Sequence, residues 1–139
     1  MSLLVDTSVW SLAFRRDSDG PLLGVKTEVK TLRHALEGAD QVFTTGLVLQ
    51  ELLQGFAGPK ARSQLIERFA ALAFLQPNRE DHVEAAEVRN ACRRHGVQIG
   101  AIDALLIQLC LKHDLVLLSS DNDFVSAAKH IKFRLWSNH

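Results

Sequence analysis

Short apolar runs alternate along the chain with longer stretches whose apolar residues recur every three or four positions. Leu3-Leu4-Val5, Val42-Phe43-Thr44, Phe74-Leu75, Leu115-Val116-Leu117-Leu118 and the segment from Lys132 to Trp136 have strand character. The first and fourth runs are apolar without alternation, as expected of strands buried on both faces. Between them the spacing predicts helices over Ser8–Phe14, Leu47–Gln54, Glu80–His95, Ala101–His113 and Phe124–Lys129. A further helix follows from Leu22, Val25, Val29, Leu32 and Leu36, ended by Gly38. Another starts at Pro59, with Ala61, Leu65, Ile66, Phe69 and Leu72 as its apolar stripe. Arg15 to Pro21 reads as a loop, and Gly55 and Gly96 read as helix stops. Strands alternating with helices predict an α/β fold with a mostly parallel sheet covered on both faces. Such sheets bind ligands beyond the carboxyl ends of their strands, where the strand order reverses.

Composition narrows the function. The 139 residues suit one domain, spanning 1–139, that buries a core without disulfide staples. Sixteen basic and sixteen acidic side chains cancel, which argues against a polyanion binder held by bulk charge. Cys92 and Cys110 form no CxxC pair and read as buried thiols in a reducing compartment. No signal peptide and no apolar run of ~20 residues is present, so a cytoplasmic protein away from the membrane is expected. The phosphate-loop pattern GxxxxGK[ST] and the hydrolase pattern GxSxG are absent.

The acids carry the chemistry. The first strand runs into Asp6-Thr7-Ser8, and the fourth runs into Ser119-Ser120-Asp121-Asn122-Asp123. Taken alone, Asp6, Asp121 and Asp123 are equally good turn or helix-cap residues. Asp103 is more telling. Leu106, Ile107 and Cys110 lie three, four and seven residues on, so the carboxylate sits on an otherwise apolar helix face. A buried charge there needs a partner, and a metal and an arginine both qualify. Glu51, flanked by Gln50 and Gln54, reads by itself as a surface glutamate. Gathered into one crevice, each pair of carboxylates at ~4 Å repels by about 4 kcal/mol at an effective dielectric near 20. A cation relieves that cost, and an all-oxygen donor set suits Mg²⁺ or Mn²⁺. The six histidines are scattered and give no zinc spacing.

At these positions the chain resembles the PIN-domain ribonucleases and, among them, the VapC toxins of bacterial toxin–antitoxin pairs. Four short motifs occur in order: Leu3-Leu4-Val5-Asp6-Thr7-Ser8, Glu51 before Leu52-Leu53-Gln54-Gly55, Ile99-Gly100-Ala101-Ile102-Asp103, and Leu117 to Phe124. The last departs from the family in carrying Ser119 near the place where threonine is commoner. The resemblance implies a three-layer α/β/α fold with a five-stranded parallel sheet in the order 3-2-1-4-5. It implies metal-dependent cleavage of RNA, a homodimer, and inhibition by a small antitoxin.

Asp6, Glu51, Asp103 and Asp121 are accordingly assigned to a Mg²⁺ or Mn²⁺ cage, with Asp123 as an extra ligand or an orienting group. Ser8 and Ser120 are assigned to hold ligands or water. Arg15, Arg16, Arg93 and Arg94 are assigned to the RNA approach, and Lys60, Arg62 and Lys112 are further cations to weigh. Trp10 and Phe14 stand at helical spacing and read as core. Two rival readings differ in class. One is a PIN-like module that binds RNA or a partner without cutting. The other is a phosphorelay receiver, which needs a phosphoacceptor Asp after strand 3 and a Lys after strand 5. The segments at Pro77 and Trp136 supply neither.

Overall fold

The computed structural model describes residues 1–19 and 26–137, with backbone alone for residues 16–19. The elements run β1 (Ser2–Val5), α1 (Thr7–Asp19), α2 (Thr27–Glu37), β2 (Gln41–Thr45), α3 (Gly46–Gly55), α4 (Pro59–Ala70) and β3 (Ala73–Leu75). They continue with α5 (Arg79–Arg94), α6 (Ala101–His113), β4 (Val116–Leu118), α7 (Asn122–Ala128) and β5 (Arg134–Leu135). The five strands form one parallel sheet in the order β3-β2-β1-β4-β5, the middle layer of an α/β/α sandwich. β1 lies at the centre, with Leu4 opposite Phe43 of β2 on one side and Leu117 of β4 on the other. Leu3, Leu4, Leu117 and Leu118 are fully buried, as their unbroken apolar runs require.

Local chemistry sets the ends of the elements. Pro59 occupies the first turn of α4, where its missing N–H costs nothing. Asn78 and Asp81 form a reciprocal capping box at the start of α5, each bond 2.9 Å long. Gly96 follows α5 at φ 76°, the left-handed conformation that favours glycine. α6 is buried around most of its circumference, from Ala104 to Ile107 and again at Leu109 and Cys110. Both cysteines are buried free thiols, and burial pushes Cys110 up to about 12.

Several expectations change. Arg15 to Asp19 continues α1 instead of forming a loop, because that stretch holds no helix breaker before Gly20. Gly20 and Pro21 lie outside the described residues, as do Leu22 and Val25. Leu36 is 47% exposed and Ile66 40% exposed, so Val29, Leu32 and Ala35 form the packed stripe of α2, and Leu65 and Phe69 that of α4. Gly55 is the last residue of α3, and Phe56 caps it through a backbone bond to Leu52. α7 starts at Asn122, two residues early, because Asp121 caps it. β5 shrinks to two residues. Trp10 and Phe14 are buried, against Phe69 and Phe56 respectively. No helix among the described residues is long and apolar enough to cross a membrane.

Candidate metal centre

β1 and β4 end side by side. The backbone N–H of Asp6 donates to the carbonyl of Leu118 at 2.9 Å, which fixes the two turns against each other. Asp6 is 6% exposed, and its Oδ2 accepts from Ser8 Oγ at 2.7 Å and from Ser119 Oγ at 2.9 Å. Ser8 Oγ also accepts from the Ser120 backbone N–H at 3.1 Å, and Ser119 Oγ from the Asp121 N–H at 3.0 Å. Hydroxyls therefore fasten one oxygen of Asp6 and tie the first turn to the fourth. Ser120 enters this network through its backbone, whereas Ser119 supplies the side chain. Sequence reasoning chose Ser120 and passed over Ser119. The signal was available, since Ser119 stands where a hydroxyl residue recurs in the resembling motif.

Glu51 arrives from the second turn of α3. Thr7 Oγ1 donates to its Oε1 at 2.7 Å, so Glu51 meets the end of β1 across 44 residues of chain. Thr7 too was missed as a holder, because in sequence it is indistinguishable from a helix-cap threonine.

Asp103 lies in the first turn of α6, half-buried, and takes a long 3.4 Å bond from the Gly100 N–H. Its carboxyl is pushed up to about 6. Burial is the largest cause, Asp6 the next, and Asp121 and Glu51 add to it against the pull of the Gly100 N–H. Asp6, Glu51 and Asp121 thus lie near enough to Asp103 to act on it through space. Asp103, Asp121 and Asp123 also present oxygens that all lie within 4.8 Å of one another. Asp121 is held by its own capping role, accepting from the Asp123 N–H at 2.9 Å.

This donor set fits a hard divalent cation. The clustered Asp103, Asp121 and Asp123 offer carboxylate oxygens from two stretches of chain, with neither His nor Cys among the described residues of the cluster. The basic residues are dispersed. Arg15 lies on α1 and reaches Ser11 Oγ at 3.4 Å, Arg93 and Arg94 end α5, and the Arg16 side chain lies outside the described residues. Lys112 is engaged elsewhere, in an ion pair with Asp81 at 3.1 Å.

A parallel five-stranded sheet with acids gathered at the carboxyl ends of β1 and β4 is the plan of a PIN domain, and residues 3–130 match the PIN domain family model. The chain belongs to the PIN domain family. Its fold is similar to that of VapC toxins. It resembles a chain of VapBC-1 from nontypeable Haemophilus influenzae at 15% identity and a TM-score of 0.73, covering 99% of this chain and 98% of that one. It resembles a chain of VapBC2 from Rickettsia felis, bound to a DNA fragment from its promoter, at 17% identity and a TM-score of 0.70, covering 98% of each. VapC20 of Mycobacterium tuberculosis, a sarcin–ricin loop cleaving toxin, matches at 21% identity and a TM-score of 0.66, covering 95% of this chain and 98% of that one. None of the curated proteins matches the chain.

Proposed function

We propose that this protein is a metal-dependent endoribonuclease, and that it is the toxin of a toxin–antitoxin pair. The observation that carries the reading is the convergence of Asp6, Glu51, Asp103 and Asp121 at one end of the sheet, close enough that three of them raise the fourth. Asp123 joins them as a fifth acid. These residues would hold Mg²⁺ or Mn²⁺, which when bound would neutralise the acids, stabilise charge on the scissile phosphate and lower the pKa of an attacking water. The chain's own contribution is to fix the acids beforehand. Ser8 and Ser119 hold Asp6 by Oδ2, and Thr7 holds Glu51 by Oε1. Each carboxylate keeps its other oxygen for a ligand.

The partner has a place to bind. A groove of about 470 Å³ between α1, α2 and α4 is lined by Trp10, Ala13, Phe14, Leu32, Leu65 and Phe69, with Leu36 exposed at its rim. The indole N–H of Trp10 is buried there with no acceptor among the described residues. An apolar antitoxin segment with a carbonyl to offer that N–H suits the groove. The similar folds solved as VapBC complexes support an antitoxin partner. A homodimer in the cytoplasm completes the proposal.

The test is purified protein with total cellular RNA, in Mg²⁺, Mn²⁺ or EDTA. Cleavage should appear with either metal, vanish in EDTA, and fall by at least about a hundredfold in Asp6→Asn. A well-folded protein that binds RNA but never cuts it would favour the inert PIN-like module instead.

A further inference from the structure

The loop that delivers Asp103 is braced by an arginine that sequence patterning did not single out. Arg89, on α5, donates its Nε–H to the carbonyl of Ile99 at 2.9 Å. Gly100 follows Ile99 and caps α6, and Asp103 lies in the next turn. One helical turn beyond Arg89 stands Arg93. The two arginines line one cavity of about 320 Å³ with Val97, Gln98 and Ile99. No acid lines it, and neither arginine forms an ion pair among the described residues.

From this arrangement we propose that Arg89, Arg93 and Gln98 form a phosphodiester subsite for single-stranded RNA, next to the acid cluster. The proposal rests on the nuclease reading and extends it to how substrate is held. Two guanidinium groups a turn apart, with a carboxamide beside them, supply hydrogen-bond donors and positive charge to one small space. That is the recognition chemistry of a phosphate. The Arg89 fork is set in advance, because its Nε is fixed on Ile99 while its terminal nitrogens form no hydrogen bond among the described residues. A phosphate seated there is also tied, through Ile99 and Gly100, to the start of the helix that carries Asp103. The subsite therefore holds a phosphate neighbouring the one that is cut, and sets the strand's position relative to the acids. It reads no base, so it contributes affinity without sequence preference.

The experiment uses the full chain carrying Asp103→Asn, so that RNA is not consumed. Binding of a fluorescein-labelled single-stranded RNA is followed by anisotropy across a salt series in EDTA. Removing one phosphate contact from a single strand lowers the slope of log K against log salt by about 0.7. Arg89→Gln and Arg93→Gln should each show that loss, and the double variant about twice it, for RNAs of unrelated sequence. Lys30→Gln on α2 should leave the slope unchanged. In the chain with its acids intact, Arg93→Gln should raise KM several-fold with kcat nearly unaltered. Arg93→Gln should melt with the parent, since Arg93 is exposed, whereas Arg89→Gln also loses the bond to Ile99 and should melt slightly lower while staying folded. If the Asp103→Asn chain binds RNA, the chain with its acids intact cuts it, and the slope is the same in both arginine variants, the subsite is overturned and the nuclease reading stands. A parent that neither binds nor cuts RNA overturns both.

Discussion

Burial and its acidic neighbours push the Asp103 carboxyl up to about 6 from 3.8. The folded chain then holds more protons here than the unfolded chain between roughly pH 4 and 6. Stability associated with this group is therefore present at low pH and is lost as pH rises through about 6. Asp103→Asn should stabilise the metal-free protein at pH 7 by about 1 kcal/mol, after allowance for solvent screening. The gain should fade below pH 4. Urea unfolding at pH 7.5 and pH 4 measures it. A destabilised Asp103→Asn protein at pH 7.5 would mean that the acid is paired rather than repelled.

At the scale of elements, the α5–α6 pair is clamped at the end remote from the acids. Asp81 is 2% exposed, caps α5 with Asn78, and meets Lys112 of α6 at 3.1 Å. Burial alone would raise its carboxyl, but the Asn78 N–H and Lys112 bring it below the ordinary value. The sign here is opposite to that of Asp103. Asp81 contributes stability above its unfolded pKa of about 3.9, and the contribution is lost as pH falls through the lower folded value. Asp81→Asn should cost about 1–3 kcal/mol at pH 7, because the buried carboxylate's charge-assisted bonds to the Asn78 N–H and to Lys112 are lost. The difference from the parent should close near pH 2, read from urea midpoints.

The same elements show what a sequence discloses. Asp6 and Asp121 were legible because each ends a buried apolar run, and a parallel sheet puts such ends at one edge. Asp103 was legible as a carboxylate on an apolar face. The roles of Ser119, Thr7 and Arg89 were not, because each depends on a contact across 10 to 113 residues. Nothing near them in sequence changes when that contact forms. The loop expected from Arg15 to Pro21 fails over Arg15–Asp19 for a local reason: polarity was read as a break in a stretch that holds neither Gly nor Pro.

For the whole molecule, the proposed cation at the gathered acids would make metal binding and folding one equilibrium. An ion at a hundred times its Kd stabilises the folded chain by about 2.7 kcal/mol. Millimolar Mn²⁺ should raise the melting temperature by several degrees at pH 7.5, and by less at pH 5, where a proton competes for Asp103. Asp103→Asn should remove most of the shift. An equal shift in parent and variant would place the ion elsewhere.

The pairing of β1 with β4 has a consequence during synthesis. The first acid is made at residue 6, but the strand that completes its surroundings spans Val116–Leu118, and Ser119 follows. A ribosome adding ~5–20 residues per second makes the amino-terminal half of this sheet seconds before its other half exists. Until β4 emerges, Asp6 lacks the Ser119 hydroxyl that fastens it, and Asp121 and Asp123 are absent. A nascent chain, or one cut short by a premature stop before residue 119, lacks Asp121 and Asp123 and cannot assemble the acid cluster.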